Sequence, residues 1–189
     1  MPGTTVAAFY HFADIAPPEA LVADLQRLGE AEGLRGSVLV AAEGVNGTVA
    51  GPRAGIERLL VRLRGVPGLE GLQARLSAAG AGRPFARFKV RLKREIVTMG
   101  RPDIRPADAT GTYVAPRDWN ALIAAPDVAL IDTRNAYETA IGSFAGAIDP
   151  GIDSFRGFPG WWEANAPRLA GRRVAMFCTG GIRCEKATA

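Results

Sequence analysis

The chain has 189 residues, of which 48% are hydrophobic and 22% charged, values that fit one or two globular domains with apolar cores. This composition excludes a disordered, collagen-like or coiled-coil protein. The formal net charge is +4, and residues 1–100 carry all of it, with 13 Lys and Arg against 9 Asp and Glu. No stretch approaches the roughly 18 apolar residues of a membrane span and no secretory leader is recognisable, so we expect a soluble, cytoplasmic protein.

Residues 1–99 show strand and helix patterns in the order βαββαβ. The predicted strands are 6–12, 37–42, 48–51 and an extended section within 69–98, and the predicted helices follow Pro17 and Pro52. Asn46-Gly47 is a strong signal for a tight hairpin turn between the second and third strands. The order of elements predicts a ferredoxin-like α+β sandwich, with two helices on one face of the sheet.

Residues 100–111 lack apolar periodicity and contain two prolines, so we expect a linker there. Residues 112–189 form the second expected domain, in which helical patterns alternate with continuous apolar strands. The strands are Val128–Ile131 and Val174–Phe177, and the helices lie near 116–124, 135–141 and 161–169. Continuous apolar strands between helices predict an α/β domain whose parallel sheet is covered on both faces.

The clearest chemical feature follows the last predicted strand. The carboxyl end of a parallel strand is where open α/β sheets bind ligands, and Cys178 stands there. Two glycines allow the next backbone amides to converge on its sulfur, and the positive charge of Arg183 also favours a thiolate. We therefore predict Cys178 and Arg183 as the catalytic pair. The intervening active-site loop is Thr179, Gly180, Gly181 and Ile182.

The spacing of this loop separates two chemistries. Cysteine phosphatases place five residues between Cys and Arg, whereas four separate Cys178 from Arg183, so the shorter loop fits a sulfur atom or small anion better than a phosphate ester. Cys184, directly after Arg183, is either a resolving thiol for an oxidised Cys178 or an inert helix residue. Two cysteines this close are a poor disulfide framework.

Other candidate groups have competing interpretations. Asp132 and Arg134 follow a predicted strand, where a pair of this kind more often anchors loops through a salt bridge than takes part in catalysis. The single histidine, His11, excludes a two-histidine metal site, and no nucleotide-binding fingerprint is present. We therefore predict no metal site, and no cofactor is visible. Four aromatic residues before the last strand either stack on a base or pack a helix: Phe155, Phe158, Trp161 and Trp162.

A basic strand carries the charge of the first domain. Arg87, Lys89, Arg91 and Lys93 alternate with apolar residues, which places four cations on one strand face. Such a face is either simply solvated or contacts the phosphates of a nucleic acid.

Several motifs in order resemble one protein family. The segment from Cys178 to Arg183 resembles the active loop of the rhodanese fold, and the motif set as a whole is similar to the bacterial tRNA uridine-34 hydroxylase family. The motifs are Glu43-Gly44-Val45-Asn46-Gly47-Thr48, Lys93-Arg94-Glu95-Ile96-Val97-Thr98-Met99-Gly100, Ile131-Asp132-Thr133-Arg134-Asn135, Ser154-Phe155-Arg156 and Cys178-Thr179-Gly180-Gly181-Ile182-Arg183-Cys184-Glu185-Lys186. Leu130-Ile131-Asp132-Thr133-Arg134 with Tyr137-Glu138 resembles the strand and loop signature of the rhodanese fold.

The resemblance implies an enzyme acting on tRNA. It implies oxygen-dependent conversion of uridine 34, the wobble position, to 5-hydroxyuridine, with Cys178 essential and molecular oxygen as co-substrate. It also implies that residues 112–189 are a rhodanese-like catalytic domain, C-terminally truncated, because only six residues follow Arg183. For the basic strand, it favours contact with tRNA.

Two other functions remain open at this point. The loop chemistry alone also suits a sulfurtransferase that carries a persulfide on Cys178. The short C-terminal end suits a non-catalytic fragment that binds tRNA or protein. These three functions differ in which modified nucleosides of tRNA are lost when the protein is absent.

Overall fold

The structure is a computed structural model that describes residues 4–80, 82 and 84–189. The chain divides into two compact units, residues 1–96 and 97–189. Among the described residues, no helix is both long and apolar enough to cross a membrane.

The first unit is an α+β sandwich with a five-stranded sheet. Its elements are β1 (Thr5–Phe12), α1 (Pro18–Ala31), β2 (Arg35–Ala41), β3 (Gly44–Gly51), α2 (Arg53–Arg64), β4 (Ala74–Ala78) and β5 (Phe88–Leu92). The strand order is β4-β1-β3-β2-β5, in which only β5 and β2 pair in parallel. The predicted ferredoxin-like sandwich is confirmed. The single extended section expected near 69–98 is two strands, which lie at opposite edges of the sheet.

Both helices of this unit pack on one face of the sheet. Leu25 of α1 and Leu59 of α2 are fully buried with alternate residues of the strands, among them Phe9 and Val38. The amphipathic periodicity that predicted the helices therefore produces the core directly, because each apolar stripe has a sheet face to cover. Among the described residues of this unit, no helix packs on the other face of the sheet.

The predicted hairpin turn at Asn46-Gly47 is wrong. The chain turns at residues 42–43, and Asn46 and Gly47 are both paired within β3. Asn46 Nδ2 donates to the Ile96 carbonyl at 2.9 Å, a contact distant in sequence. Gly47 leaves room for an aromatic ring, since a Cβ there would lie 2.7 Å from Phe9 Cζ. Contacts with residues distant in sequence, and not a turn, therefore explain why Asn46 and Gly47 stand at these positions.

The second unit is built around two parallel strands. Its elements are α3 (Pro116–Ile123), β6 (Val128–Asp132), α4 (Ala136–Thr139), α5 (Phe158–Asn165), β7 (Arg173–Phe177) and α6 (Ile182–Ala187), with 3-10 turns at Phe155–Gly157 and Ala166–Leu169. β6 pairs with β7 and bridges to Ile148 on its other side. Val128 and Leu130 pack in one apolar cluster and Ala129 and Ile131 in another, so β6 is buried on both faces, as predicted.

The segment before this sheet packs on the second unit. Val97, Met99 and Ile104 contact the apolar cluster that contains Ile131. The second unit therefore begins at Val97, and part of the segment 100–111 that we expected to be a linker contributes to its core. The apolar residues responsible are too widely spaced to show a helical or strand period.

Substitution of a glycine in α1 tests how closely this helix packs on the sheet. A Cβ at Gly29 would lie 2.1 Å from Phe88 Cε1. We expect Gly29→Ala to lower the free energy of unfolding by about 1–3 kcal/mol through overpacking, although alanine is the better helix former. The measurement is urea denaturation followed by far-UV circular dichroism.

Gly160→Ala is the matched control for this substitution. Gly160 also lies in a helix, and apart from its chain neighbours and the backbone of its own helix, no described atom lies within 4 Å of the position of its added Cβ. This variant should be neutral or more stable than the wild type. Equal stability of the Gly29 and Gly160 variants would contradict the proposed clash with Phe88.

Candidate functional site

The cysteine loop connects β7 to α6. Cys178 is the first residue after β7, and the backbone amide of Gly181 donates to its Sγ at 3.0 Å. Gly181 has φ +92°, a conformation that side-chain-bearing residues rarely adopt. The second glycine of the loop is therefore needed for the turn that brings the amide to the sulfur.

The two cysteines form one hydrogen-bonded system. The Cys184 thiol donates to the Cys178 sulfur, and with the backbone amides of Cys184, Gly180 and Gly181 it lowers the Cys178 pKa to about 5, against the opposing effect of burial. The same hydrogen bond, together with burial, raises the pKa of Cys184. Cys178 is therefore a thiolate at neutral pH, and Cys184 keeps its proton.

Arg183 contacts a carboxylate as well as the sulfur. Its Nη1 and Nη2 donate to Glu138 Oε2 and Oε1 at 2.6 and 2.7 Å. This ion pair is the largest cause of the raised Arg183 pKa, and the charge of Cys178 adds to it. The hydrogen bond from the Cys184 thiol has the largest effect on the pKa of Cys178. Arg183 therefore contributes less to that pKa than the sequence led us to expect.

Glu138 is the site residue that sequence reasoning missed. Besides Arg183, its carboxylate accepts from Thr179 Oγ1 at 2.6 Å and from the Asn135 amide at 3.1 Å. The Arg183 hydrogen bonds, helped by Thr179 and Asn135, lower its pKa to about 2. The available signal was its place in the Tyr137-Glu138 motif, but its charge partner lies 45 residues away in the chain.

Asp132 and Arg134 hold the neighbouring loop. Asp132 is fully buried, and its carboxylate accepts from Arg134 Nη2 at 2.6 Å and from Ser143 Oγ at 2.8 Å. Arg134 Nη2 also donates to the Gly142 carbonyl at 2.6 Å. The pair thus ties the end of β6 to residues 142–143, which is the geometry of a loop anchor.

A cavity of about 450 Å³ opens beside the reactive thiol. It is lined by Arg134, Gly142, Ser143, Phe144, Phe177, Cys178 and Thr179. The Phe144 ring is 43% exposed and packs edge-on against Phe177, with centroids 4.9 Å apart. The volume of this cavity lies within the range of pockets that bind small molecules.

The aromatic residues suggested by the sequence lie elsewhere. Phe155 and Phe158 are buried in the core of the second unit, and Trp161 and Trp162 pack against them. They therefore act in packing, and Phe144 is the aromatic ring that the cavity exposes.

The remaining predicted residues fall in two places. Thr179, Gly180, Gly181 and Ile182 form the loop around Cys178. Lys89 and Arg91 lie within β5 of the first unit, and Arg87 and Lys93 flank that strand. No group of three or more His, Cys, Asp or Glu suited to a metal ion occurs among residues 4–80, 82 and 84–189.

Comparison with known proteins shows which proteins this chain resembles in sequence. Residues 4–96 match the UPF0176 acylphosphatase-like domain. The chain is 61% identical over 184 residues to a tRNA uridine(34) hydroxylase of Jannaschia sp. (strain CCS1), covering 97% of this chain and 60% of that protein. Over almost its whole length, the chain is therefore similar to proteins named tRNA uridine(34) hydroxylase. Proteins of the same name from Roseobacter denitrificans and Mesorhizobium japonicum are 55% and 56% identical, over 97% of this chain and 62% and 59% of theirs.

The chain spans about 60% of the length of the curated relatives it matches. Both described units fall within the matched region, since 97% of the chain is aligned. The cysteine loop and the basic strand therefore both belong to a chain that is matched over almost its whole length.

The thiol pair can be tested by substitution at Cys184. Cys184→Ala removes the donor that most lowers the Cys178 pKa, so its alkylation profile should move to higher pH by about 1 unit or more. Alkylation of the wild type should be independent of pH near 7 and slow as the pH falls through about 5. The measurement is the rate of iodoacetamide labelling at Cys178 between pH 4 and 9.

Cys184→Ser is the matched control, because a serine hydroxyl retains a donor at the same position. Its profile should lie between those of the wild type and Cys184→Ala. Identical profiles for the alanine variant and the wild type would assign the activation of Cys178 to the backbone amides alone.

The Glu138 ion pair predicts a pH dependence of stability. Its folded-state pKa of about 2 lies below the ordinary value of 4.5, so its stabilising effect is complete above pH 4.5 and is lost as the pH falls through 2. Glu138→Gln should be less stable than the wild type at pH 7 and should lose this part of the pH dependence. Tryptophan fluorescence reports the unfolding, because all three tryptophans lie in the second unit.

Asp153→Asn is the control for Glu138→Gln, since Asp153 is an exposed carboxylate of the same unit. It should keep the pH profile of the wild type. A Glu138→Gln protein whose stability also follows the wild-type curve below pH 4.5 would show that the ion pair does not stabilise the loop.

Proposed function

We propose that this chain carries the active site of an enzyme that hydroxylates uridine 34 of tRNA, forming 5-hydroxyuridine at the wobble position. The observation that supports it most is the Cys178 sulfur, which accepts the Gly181 amide beside a cavity, in a chain 61% identical to a tRNA uridine(34) hydroxylase. Molecular oxygen is the proposed co-substrate, by resemblance to the family.

We further propose that residues 112–189 are a rhodanese-like catalytic domain. The six-residue segment from Cys178 to Arg183 runs from the end of β7 into the first turn of α6, which resembles the arrangement of the rhodanese active loop. In this proposal Cys178 is the catalytic residue, Arg183 faces its negative charge, and Asp132 and Arg134 anchor the adjoining loop.

The cavity supports a role for Cys178 toward a pyrimidine ring. Hydroxylation replaces the hydrogen at uracil C5 with a hydroxyl group, a two-electron oxidation of the base with molecular oxygen as the proposed oxidant. The second oxygen atom leaves as water, which requires two further electrons and two protons from a reductant. The neighbouring C6 is electron-poor because it is conjugated to a carbonyl, so a thiolate adds there and makes C5 electron-rich. A base that enters beside Phe144 has an aromatic ring to stack on and the Cys178 sulfur within the same cavity.

The proposed partner is tRNA, which the first unit contacts through β5. Arg87, Arg91 and Lys93 are exposed and Lys89 is half-buried, so all four can reach phosphates without disturbing the core residue Phe88. A cytoplasmic location accords with tRNA as substrate.

The decisive variant is Cys178→Ser. In a strain that carries the variant gene in place of the wild-type gene, we expect complete loss of 5-hydroxyuridine and its derivatives from bulk tRNA, because serine is not ionised at neutral pH. Nucleoside mass spectrometry of digested tRNA is the measurement. Cys184→Ser, which retains the donor, is the control and should keep at least part of the modification.

The same spectra separate the competing functions. Loss of a thiolated nucleoside with 5-hydroxyuridine intact would identify a sulfurtransferase. An unchanged nucleoside profile would leave only a binding role. Either outcome contradicts the proposed hydroxylation.

A further inference from the structure

The uncovered face of the first unit's sheet differs from the helix-covered face in its side chains. Ala8, Ser37 and Thr48 point to this face and are exposed, whereas their strand neighbours Phe9 and Val38 are buried under the helices. These three side chains are small, whereas the neighbouring row on the same face carries Tyr10, Asn46 and Leu39.

One row of paired residues crosses the whole sheet on this face. Its members, in order from β4 to β5, are Arg75, Ala8, Thr48, Ser37 and Lys89. A cation therefore stands at each end of a row of three small residues. Four strand spacings separate the outer strands, a width of about 19 Å.

Acidic residues are excluded from all five strands. β1 to β5 as bounded above contain no Asp or Glu, although they contain three Arg and one Lys. On the helices of the same unit, by contrast, arginines pair with carboxylates. These pairs are Arg53–Glu57, Arg58–Glu32 and Arg62–Asp24. The positive charge is balanced on the helix side and unbalanced on the sheet side.

The nearest acidic side chain in sequence to the strands does not alter this balance. Glu43 lies in the turn between β2 and β3 and is half-buried, and its Oε1 accepts the Ile96 amide at 2.6 Å. It therefore lies at one end of the sheet, away from the row that Arg75 and Lys89 bound.

We propose that this sheet face, from Arg75 on β4 to Lys89 and Arg91 on β5, binds the sugar-phosphate backbone of tRNA. The inference rests on the proposed function for the identity of the RNA and extends the contact from one edge strand to the full width of the sheet. A face without carboxylates, with cations at both edges, attracts a polyanion over its whole width. The charged groups of the row stand at its two ends and suit phosphates, so in this proposal the face orients the tRNA and does not select its sequence.

The first test places a negative charge in the centre of the row. Thr48→Glu and Thr48→Gln have side chains of nearly equal size at an exposed strand position and differ only in charge. We expect the glutamate variant to bind an unmodified tRNA transcript about fivefold more weakly than the glutamine variant at low salt, the effect of about one solvated charge contact. Filter binding or fluorescence anisotropy with the Cys178→Ser chain measures this without turnover.

The second test removes the cations at the two ends. Arg75→Gln with Lys89→Gln should make the slope of log affinity against log salt shallower by about 0.7–0.9 for each lost phosphate contact, equally for different tRNAs. Arg53→Gln with Arg62→Gln removes the same total charge from the helix side and is the control. Its slope should stay near that of the wild type.

Three results would overturn the proposal: equal affinity of the two Thr48 variants, equal salt slopes of the two double variants, or no measurable binding of tRNA by the wild type. Failure of the proposed function has a different signature. If Cys178→Ser leaves the tRNA nucleosides unchanged while Thr48→Glu still weakens tRNA binding, the surface is correct and the hydroxylation is not. If hydroxylation requires Cys178 but the sheet variants bind normally, only the surface is wrong.

Discussion

The carboxylate of Glu138 is the interaction on which the site depends. It accepts hydrogen bonds from the Arg183 guanidinium, the Thr179 hydroxyl and the Asn135 amide, so it joins both ends of the cysteine loop to the start of α4. An ionised carboxylate with this number of donors keeps its charge, and the bidentate pair fixes the plane of the guanidinium. The position of the loop relative to β6 follows from these bonds.

The two parallel strands supply the rest of the geometry. β6 and β7 end side by side, so Asp132 and Cys178 leave the sheet at the same edge. Asp132 then holds Arg134 and Ser143, and the loop they fix forms one wall of the cavity. The sheet thus places the Asp132 carboxylate and the Cys178 thiol at the same edge although 46 positions separate them in sequence.

Local patterns were sufficient for the elements and for the reactive loop. Apolar periodicity predicted α1, α2, β6 and β7, because each buries a stripe or a face that the sequence displays directly. The Cys178 loop was predictable because its glycines and its strand-end position are local as well. Asn46-Gly47 was misread, since the packing of Phe9 and the carbonyl of Ile96 that determine its conformation lie elsewhere in the chain. Glu138 and Phe144 were missed for the same reason: their importance depends on partners that only the folded sheet brings near.

The charge asymmetry between the two units has a consequence for how an enzyme of this design responds to its surroundings. All of the net charge belongs to the first hundred residues, while the ionisable thiol belongs to the second unit. Counterions compete for the charged sheet face, whereas protons compete for the sulfur. Under the proposed function, ionic strength should therefore act on tRNA binding and acidity on the chemical step, so the Michaelis constant should respond to salt and the turnover number to pH.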